Sequence, residues 1–208
     1  PALRWGVLAP GRIAANWVGT VHANTDQRVV AVASRTLSRA QEFAAANHID
    51  RAYGSYQQLV ADPEVDIVYV AAPHNVHAEL ALLAIDAGKH VLIEKPIATT
   101  TAGARAIRDA AQAAGVFAME ALWSRYLPQS SVIAQLLADG ALGDVSFAGA
   151  DFGFAAPIDL EGRMYSPDLA GGALLDLGVY TAWFAHFVLG APTSISTVGS
   201  LAVTGVDA

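Results

Sequence analysis

The sequence predicts an α/β fold: a doubly wound parallel sheet, followed by a smaller α+β domain on a mostly antiparallel sheet. Three observations carry this. Up to Glu120, short apolar runs of strand length alternate with segments whose apolar residues recur at helical spacing. Several of those runs, such as RVVAVA and DIVYVAA, are apolar at consecutive positions, as strands covered on both faces are. Beyond Glu120 the stretches lengthen and partly alternate, as in VSFAGADFGF, the mark of a sheet with one covered face.

Taken in order, Leu3 to Ala9 is the first strand, Pro10 and Gly11 form a turn, and Arg12 to Ala23 is a helix with Ile13, Trp17 and Val21 on one face. Arg28 to Ala33 is the second strand. Thr36 or Ser38 caps a helix that runs to Asn47. Ala52 to Gly54 is a short third strand and Ser55 to Ala61 a short helix. Asp66 to Ala72 is the fourth strand, ended by Pro73, and Val76 to Ala87 is a helix stopped by Gly88. His90 to Ile93 is the fifth strand, running into Glu94-Lys95-Pro96. Thr99 to Gly115 is a helix and Val116 to Glu120 the sixth strand. The domains divide near Ala121 to Pro128, giving a parallel-sheet domain over 1–122 and an α+β domain over 123–208. In the second, Gln129 to Ala138 is a helix, Val145 to Phe154 a strand, Pro157 to Pro167 irregular, Ala173 to Leu189 a helix closed by Gly190, and Ser194 to Val206 a strand. That last strand has little after it, so the sequence is expected to be a fragment with an incomplete sheet.

The 208 residues leave room for one large or two small domains. With 54% apolar and 15% charged residues, the composition allows a sizeable core and argues against disorder. The absence of Cys excludes disulfides, thiolate zinc sites and a cysteine nucleophile, and suits a cytoplasmic location. A net charge of −7 without a basic face argues against nucleic acid as the main partner. Charged or histidine residues interrupt each apolar stretch, so no membrane span is expected, and no signal pattern opens the chain.

Several residue groups point to chemistry. The turn Ala9-Pro10-Gly11-Arg12-Ile13-Ala14 lies between strand and helix, where a dinucleotide fingerprint wants G-x-G-x-x-G/A. Gly11 fills the second glycine, which admits the pyrophosphate, and Ala14 the third small position; Ala9 replaces the first glycine. The plainer reading is an ordinary strand-to-helix turn. At the end of the second strand, where an NAD enzyme places an acid for the ribose, stand Ser34 and Arg35, with Arg39 a turn further on. A hydroxyl and forked guanidiniums suit a 2′-phosphate, which favours NADP over NAD; the bland alternative is a pair of solvated arginines. Pro73-His74-Asn75-Val76-His77 follows the fourth strand. Without a nearby carboxylate or Cys the two histidines make a poor metal site, and they read as polar rim residues beside a nicotinamide or as a helix start with Asn75 capping. Glu94 and Lys95 sit at a strand's carboxyl end, where ligands bind in open α/β sheets. Trp123 is either core or cofactor contact, and Arg125 holds substrate or pairs with an acid. Asp176 and Tyr180, four apart, share a helix face and suggest a polar cluster in a pocket.

Taken together these residues resemble the glucose–fructose oxidoreductase / inositol dehydrogenase family. Its E-K-P motif is Glu94-Lys95-Pro96, and its G-G-G/A-x-L-x-D-x-G-x-Y/H segment is Gly171 to Tyr180. The M-E-A-x-W-x-R-x-x-P run, Met119 to Pro128, looks most like the branch of dimeric trans-dihydrodiol dehydrogenases and NADP-linked D-xylose dehydrogenases. The resemblance implies a Rossmann domain, NAD(P)-dependent oxidation of a sugar-like or cyclic diol hydroxyl, catalytic Lys95 and Tyr180, and a substrate-orienting Asp176. Either Lys95 or Tyr180 carries the proton. It also implies that cofactor contacts come from Ala9, Gly11, Arg12, Ile13, Ser34, Arg35, Arg39, Pro73, His74, His77, Glu94, Lys95, Trp123 and Arg125. Further expectations are a small polyhydroxy or diol substrate, a homodimer or larger assembly through the second-domain sheet, and a cis Lys95–Pro96 bond. A non-catalytic NADP(H) redox sensor of the same fold is the alternative; retention of both Lys95 and Tyr180 favours the enzyme.

Overall fold

The computed structural model describes residues 2–155 and 157–208. The chain divides into two compact units, residues 1–121 and 122–208.

The first unit alternates strand and helix throughout: β1 (Arg4–Leu8), α1 (Arg12–Asn24), β2 (Arg28–Ala33), α2 (Leu37–Asn47), β3 (Arg51–Tyr53), α3 (Tyr56–Val60), β4 (Ile67–Val70), α4 (His77–Asp86), β5 (His90–Ile93), α5 (Thr101–Ala114) and β6 (Ala118–Glu120). All six strands pair in parallel in the order β3-β2-β1-β4-β5-β6. This is the order of a dinucleotide-binding doubly wound sheet, and it reverses between β1 and β4. Strand side chains alternate between two cores. Val7, Val29, Val32, Tyr69 and Leu92 pack with Ala14 and Val18 of α1 and Ala44 of α2. Leu8, Ala31, Ala33, Val68, Val70, Val91 and Ile93 pack with α3, α4 and α5 through Leu59, Leu80, Ile85 and Ile107. Both faces are dry, which is why the strands read as continuous apolar runs. Each enclosed Val, Leu or Ile contributes about 1.5–3 kcal/mol relative to exposure.

Several element bounds shift from expectation by one or two residues. β3 lies one residue earlier, at Arg51–Tyr53, because its register is set by pairing with Ala31 to Ala33. Thr36 occupies the N-cap of α2 but its side chain makes no capping bond, whereas Ser55 and Thr100 do cap α3 and α5.

In the second unit a 3-10 turn (Trp123–Tyr126) leads into α6 (Pro128–Ala138), whose proline at the helix start needs no N–H partner. A 3-10 turn (Pro167–Leu169) and a π-turn (Leu174–Gly178) precede α7 (Val179–Leu189). Asp207 organises the entry to this helix: its backbone carbonyl accepts from Ala173 N at 3.1 Å and its Oδ2 from Leu174 N at 2.5 Å. Gly172 has φ 110°, and a Cβ there would stand 2.2 Å from Asp207 Oδ1, so only glycine fits.

The expected antiparallel sheet is not found. Among the described residues, Val145 to Phe154 and Ser194 to Val206 form no strand, and the antiparallel pairing consists of one isolated bridge, Leu201 to Asp207. Alternation supplies a face but not a partner: a strand exists only where a neighbour takes its N–H and C=O groups. Here Phe147, Ile195, Val198 and Val203 are more than 80% exposed. The 23-residue run Pro167–Leu189 also corrects the expectation about apolar stretches, since by length and composition it passes for a membrane span. The run is broken by a 3-10 turn and a π-turn and carries the ion-paired Asp176.

Candidate functional site

The carboxyl end of the parallel sheet gathers most of the predicted residues of the first unit. Ala9 leaves β1 with φ 59°, in the left-handed region, and its N–H donates to Ala33 O at 3.0 Å. Gly11 is the N-cap of α1, without a side-chain cap, so the first amides of α1 lack that local acceptor. A Cβ on Gly11 would meet nothing within 4 Å. No packing within the unit therefore requires a glycine there, and the space it leaves fits a phosphate resting on the helix N-terminus. Arg12 and Ile13 open α1 and are exposed.

At the end of β2, Ser34 is buried and donates its N–H to Tyr53 O at 3.1 Å. Arg35 and Arg39 are exposed, and Arg39 donates to Pro10 O at 3.5 Å, joining this corner to the turn after β1. Tyr56, at the start of α3, belongs to the same corner. Burial pushes its phenol up, while the guanidiniums of Arg35 and Arg39 pull it back and the Glu79 carboxylate pushes it up again. The sequence reading missed Tyr56; a tyrosine one residue beyond a capping serine carries no motif.

After β4, Pro73 starts a 3-10 turn (His74–Val76), and α4 begins at His77 rather than behind a capping Asn75. Both histidines are enclosed, not at a polar rim: His74 is buried, His77 completely so, and their rings stand edge to face at 5.6 Å. The His77 Nδ1 lies 2.7 Å from Pro96 O and its Nε2 2.8 Å from Ala72 O. That ring braces the loop after β5 against the end of β4. Among the described residues no cluster of three His, Asp or Glu is placed to hold a metal.

The loop after β5 carries Glu94, Lys95 and Pro96, with the Lys95–Pro96 bond cis, as expected. Glu94 accepts from Tyr69 Oη at 2.5 Å and from the Lys95 N–H at 3.2 Å. Burial, then the Glu94 charge, hold the Tyr69 phenol well above the ordinary tyrosine range, so it remains a donor.

In the second unit, Tyr180 lies in α7, and its hydroxyl accepts from the Trp123 indole N–H at 2.8 Å. Trp123 and Phe152 present ring edges or faces to Tyr180 at 5.8 and 5.2 Å between centroids. Trp123 therefore has a definite polar partner in Tyr180. An N–H aimed at a phenol oxygen stabilises negative charge there. Asp176 is buried within the π-turn and pairs with Arg163 at 3.1 Å. Arg163 and Phe152 were not singled out from sequence: Arg163 lies in an irregular stretch, and Phe152 reads there as one more residue of an alternating strand. Arg125 is exposed in the 3-10 turn.

Comparison with known proteins agrees with this arrangement. A family model described as "Oxidoreductase family, NAD-binding Rossmann fold" matches residues 3–122, and one described as "GFO/IDH/MocA C-terminal domain" matches residues 131–208. A trans-1,2-dihydrobenzene-1,2-diol dehydrogenase from Xenopus laevis is 43% identical over 99% of this chain and 63% of its own length. The human protein of that name is 40% identical over 99% of this chain and 62% of its own length. The chain thus spans less than two thirds of the curated relatives it matches. Among solved structures, a 3-ketoreductase from Actinomadura kijaniata in complex with NADP and TDP-benzene superposes with a TM-score of 0.78 at 32% identity, covering 91% of this chain and 58% of that one. A levoglucosan dehydrogenase in complex with NADH and levoglucosan, at 24% identity and a TM-score of 0.77, shares the fold. The parallel sheet, its glycine turn and the two matched domain models place this chain in the GFO/IDH/MocA oxidoreductase family.

Proposed function

We propose that the protein is an NADP-dependent oxidoreductase that transfers a hydride between nicotinamide and a secondary hydroxyl of a sugar, polyol or cyclic diol. The observation that carries this reading is the shared location of the Ala9–Gly11 turn, the Arg35 and Arg39 guanidiniums and Lys95 at the carboxyl end of one parallel sheet. Phosphates are received by the start of α1, and a 2′-phosphate by Arg35 and Arg39, in forked hydrogen bonds that an NAD ribose would not use. When bound, the nicotinamide supplies the hydride acceptor or donor. The chain's own part is to orient the substrate hydroxyl and move its proton.

Tyr180 and Lys95 share that task. A free phenol near pH 10 is poorly matched to neutral chemistry. The Trp123 N–H donates to the Tyr180 oxygen and so supports negative charge developing there. In the reverse assignment Lys95 moves the proton and Tyr180 orients the oxygen. Asp176, oriented by Arg163, accepts from a neighbouring substrate hydroxyl, which accounts for a diol or sugar preference.

The test is a turnover screen of the intact protein with NADP against pentoses, hexoses, inositols and aromatic dihydrodiols, followed by variants. Lys95→Met and Tyr180→Phe are each expected to lower kcat on the order of 100- to 10,000-fold while NADP binding persists. Turnover by both variants near the unmutated rate refutes the mechanism. Arg35→Ala is expected to weaken NADP more than NAD. Tighter binding of NAD than NADP by the unmutated protein refutes the cofactor assignment.

A further inference from the structure

The backbone around Lys95 is held in an unusual way. The strand ladders stop just before it: Glu94 N donates to Val70 O at 3.0 Å, and Ala121 N to Ile93 O at 2.7 Å. From there to Ile97 side chains take over. The Lys95 N–H goes to Glu94 Oε2 at 3.2 Å, Pro96 O to the enclosed His77 ring, and the Ile97 N–H to Glu120 Oε1 at 2.7 Å. Pro96 is buried and has no N–H to offer. The two carboxylates therefore bracket Lys95, one binding its own amide and one the amide two residues on.

Register explains why these two reach. Glu120 pairs with Ile93 across β5 and β6, so its side chain leaves the sheet beside the loop that follows Ile93. Tyr69 pairs with Leu92 across β4 and β5, and Glu94, two residues beyond Leu92, points to the same face of the sheet. Tyr69 is fully enclosed and its ring lies 4.4 Å from that of Trp17, which in turn packs on Trp5 at 4.8 Å. Its hydroxyl has a single rigid direction, and that direction ends on Glu94.

We propose that Glu120 and Tyr69 are positioning residues for Lys95: Glu120 by accepting from the Ile97 amide, Tyr69 by fixing the Glu94 carboxylate that accepts from the Lys95 amide. The proposal deepens the functional reading above and rests on it, since positioning matters only if Lys95 acts on substrate. Neither residue touches substrate or cofactor in this scheme. A displacement of about 1 Å at a reacting group costs on the order of 100-fold, so the effect belongs in kcat rather than in cofactor binding.

The experiment uses the intact protein and two readouts. Glu120→Leu removes the acceptor, and Glu120→Gln keeps one. The expected result is a kcat lowered on the order of 10- to 100-fold in Glu120→Leu and in Tyr69→Phe, near-unmutated kcat in Glu120→Gln, and NADP affinity within about twofold in all three. In hydrogen exchange, the Ile97 amide should lose protection in Glu120→Leu and keep it in Glu120→Gln. The Lys95 amide should lose protection in Tyr69→Phe, while Glu94 and Ala121 keep theirs. Unchanged protection at Ile97 and Lys95 overturns the proposal, whatever the activity. So does lost protection with unchanged kcat when Lys95→Met is inactive in the same assay. If Lys95→Met itself turns over normally, the failure lies instead in the catalytic reading. Should Glu120→Leu not fold, Tyr69→Phe, which loses one hydroxyl and keeps its ring, decides alone.

Discussion

Ala9 shows how much one side chain can matter at a phosphate turn. An alanine in the left-handed region costs about 1–2 kcal/mol, because its Cβ crowds the following carbonyl. A glycine would remove that cost and add back part of it, about 0.5–1 kcal/mol, as extra freedom of the unfolded chain. Ala9→Gly is therefore expected to stabilise the protein by up to about 1 kcal/mol, read as a higher urea midpoint with an unchanged slope. A lower midpoint would mean that the neighbouring Pro10 and Gly11 relax in a way that alanine restrains. The residue type at this turn was legible in the sequence; its left-handed backbone, with the Ala9 amide donating to Ala33 O, came from the structure.

At the scale of elements, the first unit was readable almost throughout and the second only in its helices. Runs such as RVVAVA and DIVYVAA can be nothing but buried strands once helices cover both faces. The Arg35 and Arg39 corner, the glycine turn and the Glu94–Lys95 loop all follow from strand ends, so their placement was legible with them. What escaped depends on contacts distant in sequence: Arg163 on Asp176, Trp123 and Phe152 on Tyr180, and both nitrogens of His77 on carbonyls. The π-turn before α7 was equally invisible, since apolar spacing does not distinguish one helical register from another. Close approach between elements gives a prediction. A Cβ added to Gly6 of β1 would stand 2.7 Å from Leu59 Cδ2 and 3.1 Å from Val65 Cγ1. Leu59 is fully buried and cannot swing away freely. Gly6→Ala should destabilise by about 1–3 kcal/mol, as overpacking does, measurable by thermal or urea unfolding. A neutral result would show that α3 shifts outward at little cost.

For the first unit as a whole, the amino end of the sheet is tied by charge while the carboxyl end is left for ligand. Arg4 grips Asp66 in a fork, with Nη2 to Oδ1 at 2.7 Å and Nε to Oδ2 at 3.0 Å, and reaches Glu64 at 2.7 Å, joining the starts of β1 and β4. The Arg4 hydrogen bond, against opposition from burial, holds the Asp66 carboxyl down at about 2, below its ordinary 3.8. A depressed carboxylate contributes stability above its unfolded value and loses it as pH falls through the folded one. Stability from this pair should thus be complete above about pH 4 and vanish towards pH 2. Arg4→Gln should flatten that acid limb, and added salt should weaken it in the unmutated protein, since both partners are partly exposed. An acid limb identical in the variant would remove this pair from the account. The strand order also has a consequence for how the chain is made. β1, β2 and β3 can assemble once Tyr53 has left the ribosome, but one edge of β1 stays open until Ile67–Val70 arrives to pair with it. During synthesis that bare edge is an invitation to other nascent chains, and the strand that withdraws it is the one that bears Tyr69.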